Sequence, residues 1–327
     1  MPNTSASASV GLARVMAHCG GDPAEAVRHL AAAIAAAPSD PESYAVLADL
    51  WRDRPADLAG VVDGGTSLPA VLALSYVSFL RGDMDTAALA MGSVTGARPD
   101  VAWADAPWFG DDRFLGSVSA DALAEAAMRT MDHGHDLDSD GMRERVRPWR
   151  AAFDAVVAGR PAAQALARMA IMLRACGLVE ASLELCDRAD AVERVMFTEV
   201  VRAGTWRKAG DTERMVAAFE RALVLDPANW SLHLDLADVR AEQGDFAEAA
   251  RLAGEGLRHE PAEPALRAAA AAYRARHTGA PADLSTLIEV APLLPNPAYR
   301  DLLIDLACAG PGLPAELLAT ARGLRAG

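Results

Sequence analysis

The chain is poor in the residues that usually announce chemistry. It has four cysteines in 327 residues (Cys19, Cys176, Cys186 and Cys308), with no C-x-x-C pair and no metal-ligand spacing. Cys176 and Cys186 fall on apolar helical stretches, so small buried thiols in a reducing compartment are the expected reading. No G-x-x-x-x-G-K-[ST] phosphate loop, G-x-S-x-G elbow or H-E-x-x-H pair occurs, and the seven histidines are scattered. No uncharged apolar run reaches the roughly 18–20 residues of a membrane span. Met1-Pro2-Asn3-Thr4-Ser5 has no basic region leading into an apolar core, so no signal peptide is expected and the cytoplasm is the expected compartment. Basic residues are outnumbered, 31 against 45 acidic, giving a formal charge of −14. That field repels phosphate backbones and argues against general nucleic-acid binding. These gaps exclude no single enzyme, but together they point to a chain without catalysis, metal or cofactor.

What the chain does have is hydrophobic residues, 52% of the total, and a period. Gly210-Asp211 returns as Gly244-Asp245, 34 residues on (244 − 210 = 34), and Pro227 returns as Pro261 and then as Pro295 at the same step. In residues 230–263, Trp230, Leu234, Leu236, Ala237 and Val239 give a first helix with an apolar side. Gln243-Gly244-Asp245 makes the turn, Gly stopping one helix and Asp capping the next. Phe246, Ala249, Ala250, Leu252, Ala253, Gly256 and Leu257 carry the second helix, and Pro261 ends the unit. Residues 196–229 repeat the plan with Trp206, Gly210, Phe219, Ala222, Leu223 and Pro227.

At these positions the chain resembles the tetratricopeptide repeat (TPR) family, whose period is 34 residues. The likeness extends loosely to 8–41 (Gly21-Asp22, Ala26, Leu30, Ala33, Pro38), 68–101 (Leu74, Gly82-Asp83, Ala87, Met91, Pro99) and 163–195 (Ala170, Gly177, Ala189). Residues 264–297 keep Tyr273 and Pro295 but alter the turn at His277-Thr278-Gly279-Ala280-Pro281. Residues 298–327 read as a closing helix pair broken at Pro311-Gly312. The resemblance implies an all-α, right-handed superhelical solenoid of helix pairs. The phase slips twice: Gly21 to Gly82 and Gly82 to Gly177 are each seven residues short of whole periods. The expected organisation is an N-terminal array over 1–101 with a truncated unit near Val61–Gly65, an irregular helical middle over 102–160, and a C-terminal array over 161–327.

Two features stand out in the middle. Residues 103–114 gather Trp103, Trp108, Phe109 and Phe114 in a chain only 5% aromatic. Exposed aromatics beside acids are typical of partner sites; a plug between two arrays is the alternative reading. Asp136-Leu137-Asp138-Ser139-Asp140-Gly141 matches the start of a calcium loop, so Asp136, Asp138 and Asp140 are candidate ligands. Arg147 occupies the place where such a loop supplies its bidentate Glu, which favours instead a solvated acidic loop capping the next helix. That helix is expected to start near Arg147, with Met142, Val146, Trp149, Phe153 and Val156 as a core stripe.

In the TPR family the first helices line an inner groove that takes a partner's extended peptide or helix. The carboxylate-clamp branch does not fit, because its places hold Leu234, Asp235 and Asp238 in one unit and Val200, Val201 and Gly204 in the other. Leu234, Asp238 and Glu242 follow at four-residue steps, and a shift of 34 gives Val200, Gly204 and Lys208. The expectation is an apolar strip with acids at one edge and a base at the other. With Trp103, Trp108 and Phe109, these form the candidate partner-binding set. The expected function is a non-catalytic scaffold or adaptor for a protein or peptide; a regulatory receptor for a small peptide or ligand is the alternative. Homo-oligomerisation stays open, and the alanine-rich composition points to a bacterial, high-GC source.

Overall fold

A computed structural model describes residues 4–18, 20–159 and 161–325, which leaves Cys19 outside the described residues. Among these residues the fold is all-α with no strand, as the helical period requires. It divides into two compact units, Met1–Gly210 and Asp211–Gly327. The expected boundaries after residues 101 and 160 both fall inside the first unit.

The first unit begins with three helix pairs: α1 (Thr4–His18) and α2 (Pro23–Ala36), α3 (Pro41–Asp53) and α4 (Pro55–Val62), α5 (Leu68–Arg81) and α6 (Met84–Ala97). Local chemistry fixes their starts. Asp22 and Asp40 each precede a proline and accept from the backbone N–H of Ala24 at 3.0 Å and Glu42 at 3.2 Å. Gly82, at φ 84°, ends α5 in the left-handed region that only glycine enters freely. The second helix of the middle pair, α4, has only eight residues, so the truncated unit is where the phase slip places it.

The irregular middle is built from short helices: a 3-10 turn (Trp103–Asp105), α7 (Asp112–Leu115), α8 (Ala120–Arg129), α9 (Asp140–Arg145) and α10 (Arg147–Val157). Helix α8 packs against α6 on one side and α11 (Ala163–Ala175) on the other. The approach to α6 is backbone on backbone. A Cβ at Gly92 or Gly96 would collide with the carbonyl oxygens of Ala126 or Arg129. Asp85, in the first turn of α6, accepts from Ser119 N at 2.7 Å and Ser119 Oγ at 2.9 Å, fixing the start of α8. Met142, Val146, Trp149, Phe153 and Val156 are all buried, as a core stripe should be. The unit closes with α12 (Val179–Val192) and α13 (Met196–Ala209). One core runs from Ile34 and Leu72 through Trp103, Phe109, Trp149 and Phe153 to Leu166, Leu185 and Val201. The middle is therefore continuous with the repeats on both sides of it.

The second unit comprises α14 (Thr212–Leu225), α15 (Trp230–Glu242), α16 (Phe246–His259), α17 (Pro264–Thr278), α18 (Pro281–Val290), α19 (Pro297–Cys308) and α20 (Ala315–Arg322). Asp211 and Asp245 cap α14 and α16, accepting from Arg214 N at 3.0 Å and Glu248 N at 3.1 Å. Helix α17 meets α15, α16, α18 and α19 and is wrapped on most sides, which is why Ala268 through Ala272 are all fully buried. Larger side chains there would overpack the core. The regular helix pairs, such as α5 with α6 and α15 with α16, give both units a TPR-like fold, interrupted in the first unit by the irregular middle.

Candidate functional site

The strip expected on the first helices divides between the two units. On α13, Val200 is half-buried and Gly204 is roofed by Arg174, whose Nη1 would collide with a Cβ at that position. The same nitrogen donates to Val201 O at 3.3 Å. Lys208 places Nζ 2.5 Å from the Asp138 carboxylate. The base expected at the strip's edge is therefore an internal clasp, and at Gly204 the expected apolar strip is covered by the protein's own guanidinium.

The α15 half differs from expectation in another way. Leu234 and Asp238 are half-buried and Glu242 is exposed. Asp238 Oδ1 accepts hydrogen bonds from the hydroxyls of Tyr273 on α17 and Tyr299 on α19, the latter at 3.0 Å. Burial pushes the Asp238 carboxyl up to about 6, the two tyrosine donors pull against it, and the like charges of Asp235 and Glu242 push the same way as burial. Burial and Asp238 push both phenols upward, so both stay protonated donors. Asp238 is a tertiary junction rather than a solvated edge.

The aromatic segment is folded inward. Trp103, Trp108, Phe109 and Phe114 are 2%, 4%, 0% and 0% exposed, so they are not the exposed loop that partner contact was expected to use. Phe109 meets Phe114 and Trp149 with ring centroids 5.0 Å apart in both pairs, and Trp103 Nε1 donates to Arg98 O at 3.0 Å. Burying these rings closes the core where regular repeats are missing. Trp103 and Phe109 are thereby removed from any accessible surface.

Trp108 differs from its neighbours. It forms one wall of an open cleft of about 260 Å³ lined by Pro41, Tyr44, Tyr76, Phe79 and Asp111 among others. Tyr44 packs edge-on against Tyr76 at 5.1 Å, and the Trp108 ring lies 5.5 Å from Phe79 and 6.5 Å from Tyr76. Tyr44 donates to Pro38 O at 3.1 Å. The indole N–H of Trp108 is buried and has no acceptor among the described residues. Buried donors are nearly always paired, which makes this one notable. Sequence reasoning missed Tyr44 and Tyr76. The signal was available: the chain has four tyrosines, and all four (44, 76, 273, 299) lie on first helices.

The acidic loop does not converge on a centre. Asp136 Oδ1 accepts from Asp138 N at 3.0 Å, Asp138 is held by Lys208 and Arg143, and Asp140 pairs with Arg143 at 2.6 Å. The hydrogen bond from Lys208, with the nearby charges, holds the Asp138 carboxyl below its ordinary value. Among the described residues no three His, Cys, Asp or Glu side chains are grouped to hold a metal. Asp136 serves the turn, and Asp138 and Asp140 form a clasp in which cations of the chain itself occupy the carboxylates. Ser139 caps the following helix, accepting from Met142 N at 3.2 Å. Among the described residues no helix is long and apolar enough to cross a membrane.

No family model matches the sequence, and no curated protein matches it. Among solved structures, PilF of Pseudomonas aeruginosa is similar over 73% of this chain and 97% of its own, at 14% identity and a TM-score of 0.42. A thermophilic TPR protein of Thermus thermophilus is similar over 63% of this chain and 98% of its own, at 17% identity and a TM-score of 0.37. A tetratricopeptide repeat protein from Parabacteroides merdae is similar over 98% and 99%, at 12% identity and a TM-score of 0.38.

Proposed function

We propose that the chain is a non-catalytic adaptor that seats a segment of a partner protein on its first helices, with the aromatic cleft of the first unit as the main contact. The observation that carries this reading is the cleft itself. Tyr44 and Tyr76 from α3 and α5 and Trp108 from the irregular middle form a concave aromatic wall, polar as well as apolar, that opens to solvent. Aromatic anchors in such pockets dominate binding energy in protein interfaces. A volume of about 260 Å³ is near the lower end of small-molecule sites, roughly 300–1,000 Å³, and suits one or two side chains. The reading keeps Trp108 from the aromatic segment. Val200 on α13, and in the second unit Leu234 and Glu242 on α15, are separate candidate contacts, with Asp238 holding α15 to its neighbours. The buried thiols of Cys176 and Cys186 suit a reducing compartment such as the cytoplasm.

The test is a blocked cleft. Ala45 is exposed and lines it, so Ala45→Trp fills the opening without entering the core. A partner captured by the native chain should be lost by this variant while its melting temperature holds. Equal capture by native and blocked chains would refute the assignment.

A further inference from the structure

We infer that the cleft recognises an extended, proline-bearing segment flanked by basic residues. This rests on the adaptor reading above and names the chemistry of its ligand.

Three observations carry it. First, the walls are flat rings: Tyr44, Tyr76, Phe79 and Trp108, with Tyr76 and Phe79 nearly parallel (15°) at 6.0 Å. A pyrrolidine ring packs against such faces with little loss of freedom, because a proline-rich chain is already extended. Second, one donor at the cleft, the buried Trp108 Nε1–H, lacks an acceptor among the described residues, and the half-buried Tyr76 lines the same cleft with a hydroxyl of its own. A peptide carbonyl supplies what the indole needs. The carbonyls of a polyproline-type segment are free because that conformation has no internal hydrogen bonds. A helix offers none along its length, since its carbonyls bond within it. A quaternary ammonium would suit the rings but accepts no hydrogen bond.

Third, the charge around the cleft is negative. Asp111 lines it, and Asp40 and Asp105 act on the Tyr44 phenol. Asp40 and Asp111 also cap α3 and α7, which fixes them in place. The guanidinium of Arg113, which borders the same rings, is occupied, lying over the Phe79 ring at 5.2 Å and donating to Leu80 O at 3.4 Å. An anionic ligand is disfavoured, and lysine or arginine beside the proline is favoured.

The experiment titrates a fluorescein-labelled peptide of alternating proline pairs and arginine into the full chain and follows anisotropy. A matched peptide with alanine for proline and free tetramethylammonium are the comparison probes. Saturable binding is expected, weakened at least about tenfold when proline becomes alanine and abolished by Ala45→Trp. Trp108→Phe removes the N–H donor together with one ring of the indole and should weaken binding at least roughly two- to tenfold, the range of one net hydrogen bond. Tyr76→Phe, a half-buried position, is a second probe should Trp108→Phe lower the melting temperature. No binding up to about millimolar peptide, equal affinity for the alanine peptide, competition by tetramethylammonium alone, or indifference to both Phe variants overturns the inference. If the proline peptide fails but Ala45→Trp still loses the native partner, the ligand class is wrong and the adaptor reading stands. If both fail, the adaptor reading falls with it.

Discussion

Asp238 should make the protein less stable as pH rises from about 4 to about 6. The carboxyl sits between Tyr273 and Tyr299, and burial raises it to about 6 in the folded chain against an ordinary value of 3.8. Between those two values the folded state binds more protons than the unfolded state. Stability therefore falls with pH across that window, and the contribution present below about pH 4 is lost above about pH 6. Two pH units correspond to about 3 kcal/mol, and partial contact with water reduces this to roughly 1–3 kcal/mol. Asp238→Asn isolates the effect, because the amide oxygen still accepts from both tyrosines while the charge is gone. Urea midpoints of native and Asp238→Asn chains measured from pH 4 to pH 7 should differ progressively, with the variant relatively more stable at pH 7. Parallel curves would refute the reasoning, since they would mean that the charged form is no worse placed in the fold than in the unfolded chain.

Other outcomes follow from the same contacts. Asp138→Asn should lose the clasp to Lys208 and Arg143; because the native carboxyl is held low, the difference from the native chain should be present at pH 7 and vanish as pH falls below its ordinary value, which paired urea titrations would show. Millimolar calcium should leave the melting temperature unchanged, whereas a rise lost in Asp138→Ala would restore the metal reading. Gly92→Ala should destabilise by about 1–3 kcal/mol in thermal melts, because its Cβ meets the Ala126 carbonyl on α8. Cys176 and Cys186, whose thiols burial pushes up to about 12, should resist iodoacetamide at pH 8 until the chain unfolds, read by mass spectrometry of each peptide.

The repeating parts of the fold were legible because their causes are local. The Gly210/Gly244 and Asp211/Asp245 recurrences mark turns and caps that the structure reproduces, and the slip of seven residues marks the shortened α4. The start of α10 at Arg147 and its buried stripe were readable from Pro148 and the spacing of Trp149, Phe153 and Val156. The candidate site was less legible because its determinants are tertiary. The four-residue steps put Asp238 and Glu242 on one side of α15, but the tyrosines that bury Asp238 lie 35 and 61 residues on. Lys208 looked like a free base until Asp138, from the irregular middle, met it. Likewise, clustering of aromatics at 103–114 marked an important segment without saying which way its rings turn. They turn inward to close a core that lacks a regular helix pair, and Trp108 also lines the open cleft.

The adaptor claim is tested most directly by photo-crosslinking from the cleft in native lysate. A photoreactive amino acid at Ala45 should link a single partner, and mass spectrometry should place the crosslink in an extended, proline-bearing segment of that partner. A control at Glu220, which is exposed on α14 in the second unit, should not give the same product. Crosslinks from both positions to the same mixture of abundant proteins, or none from Ala45, would contradict the account.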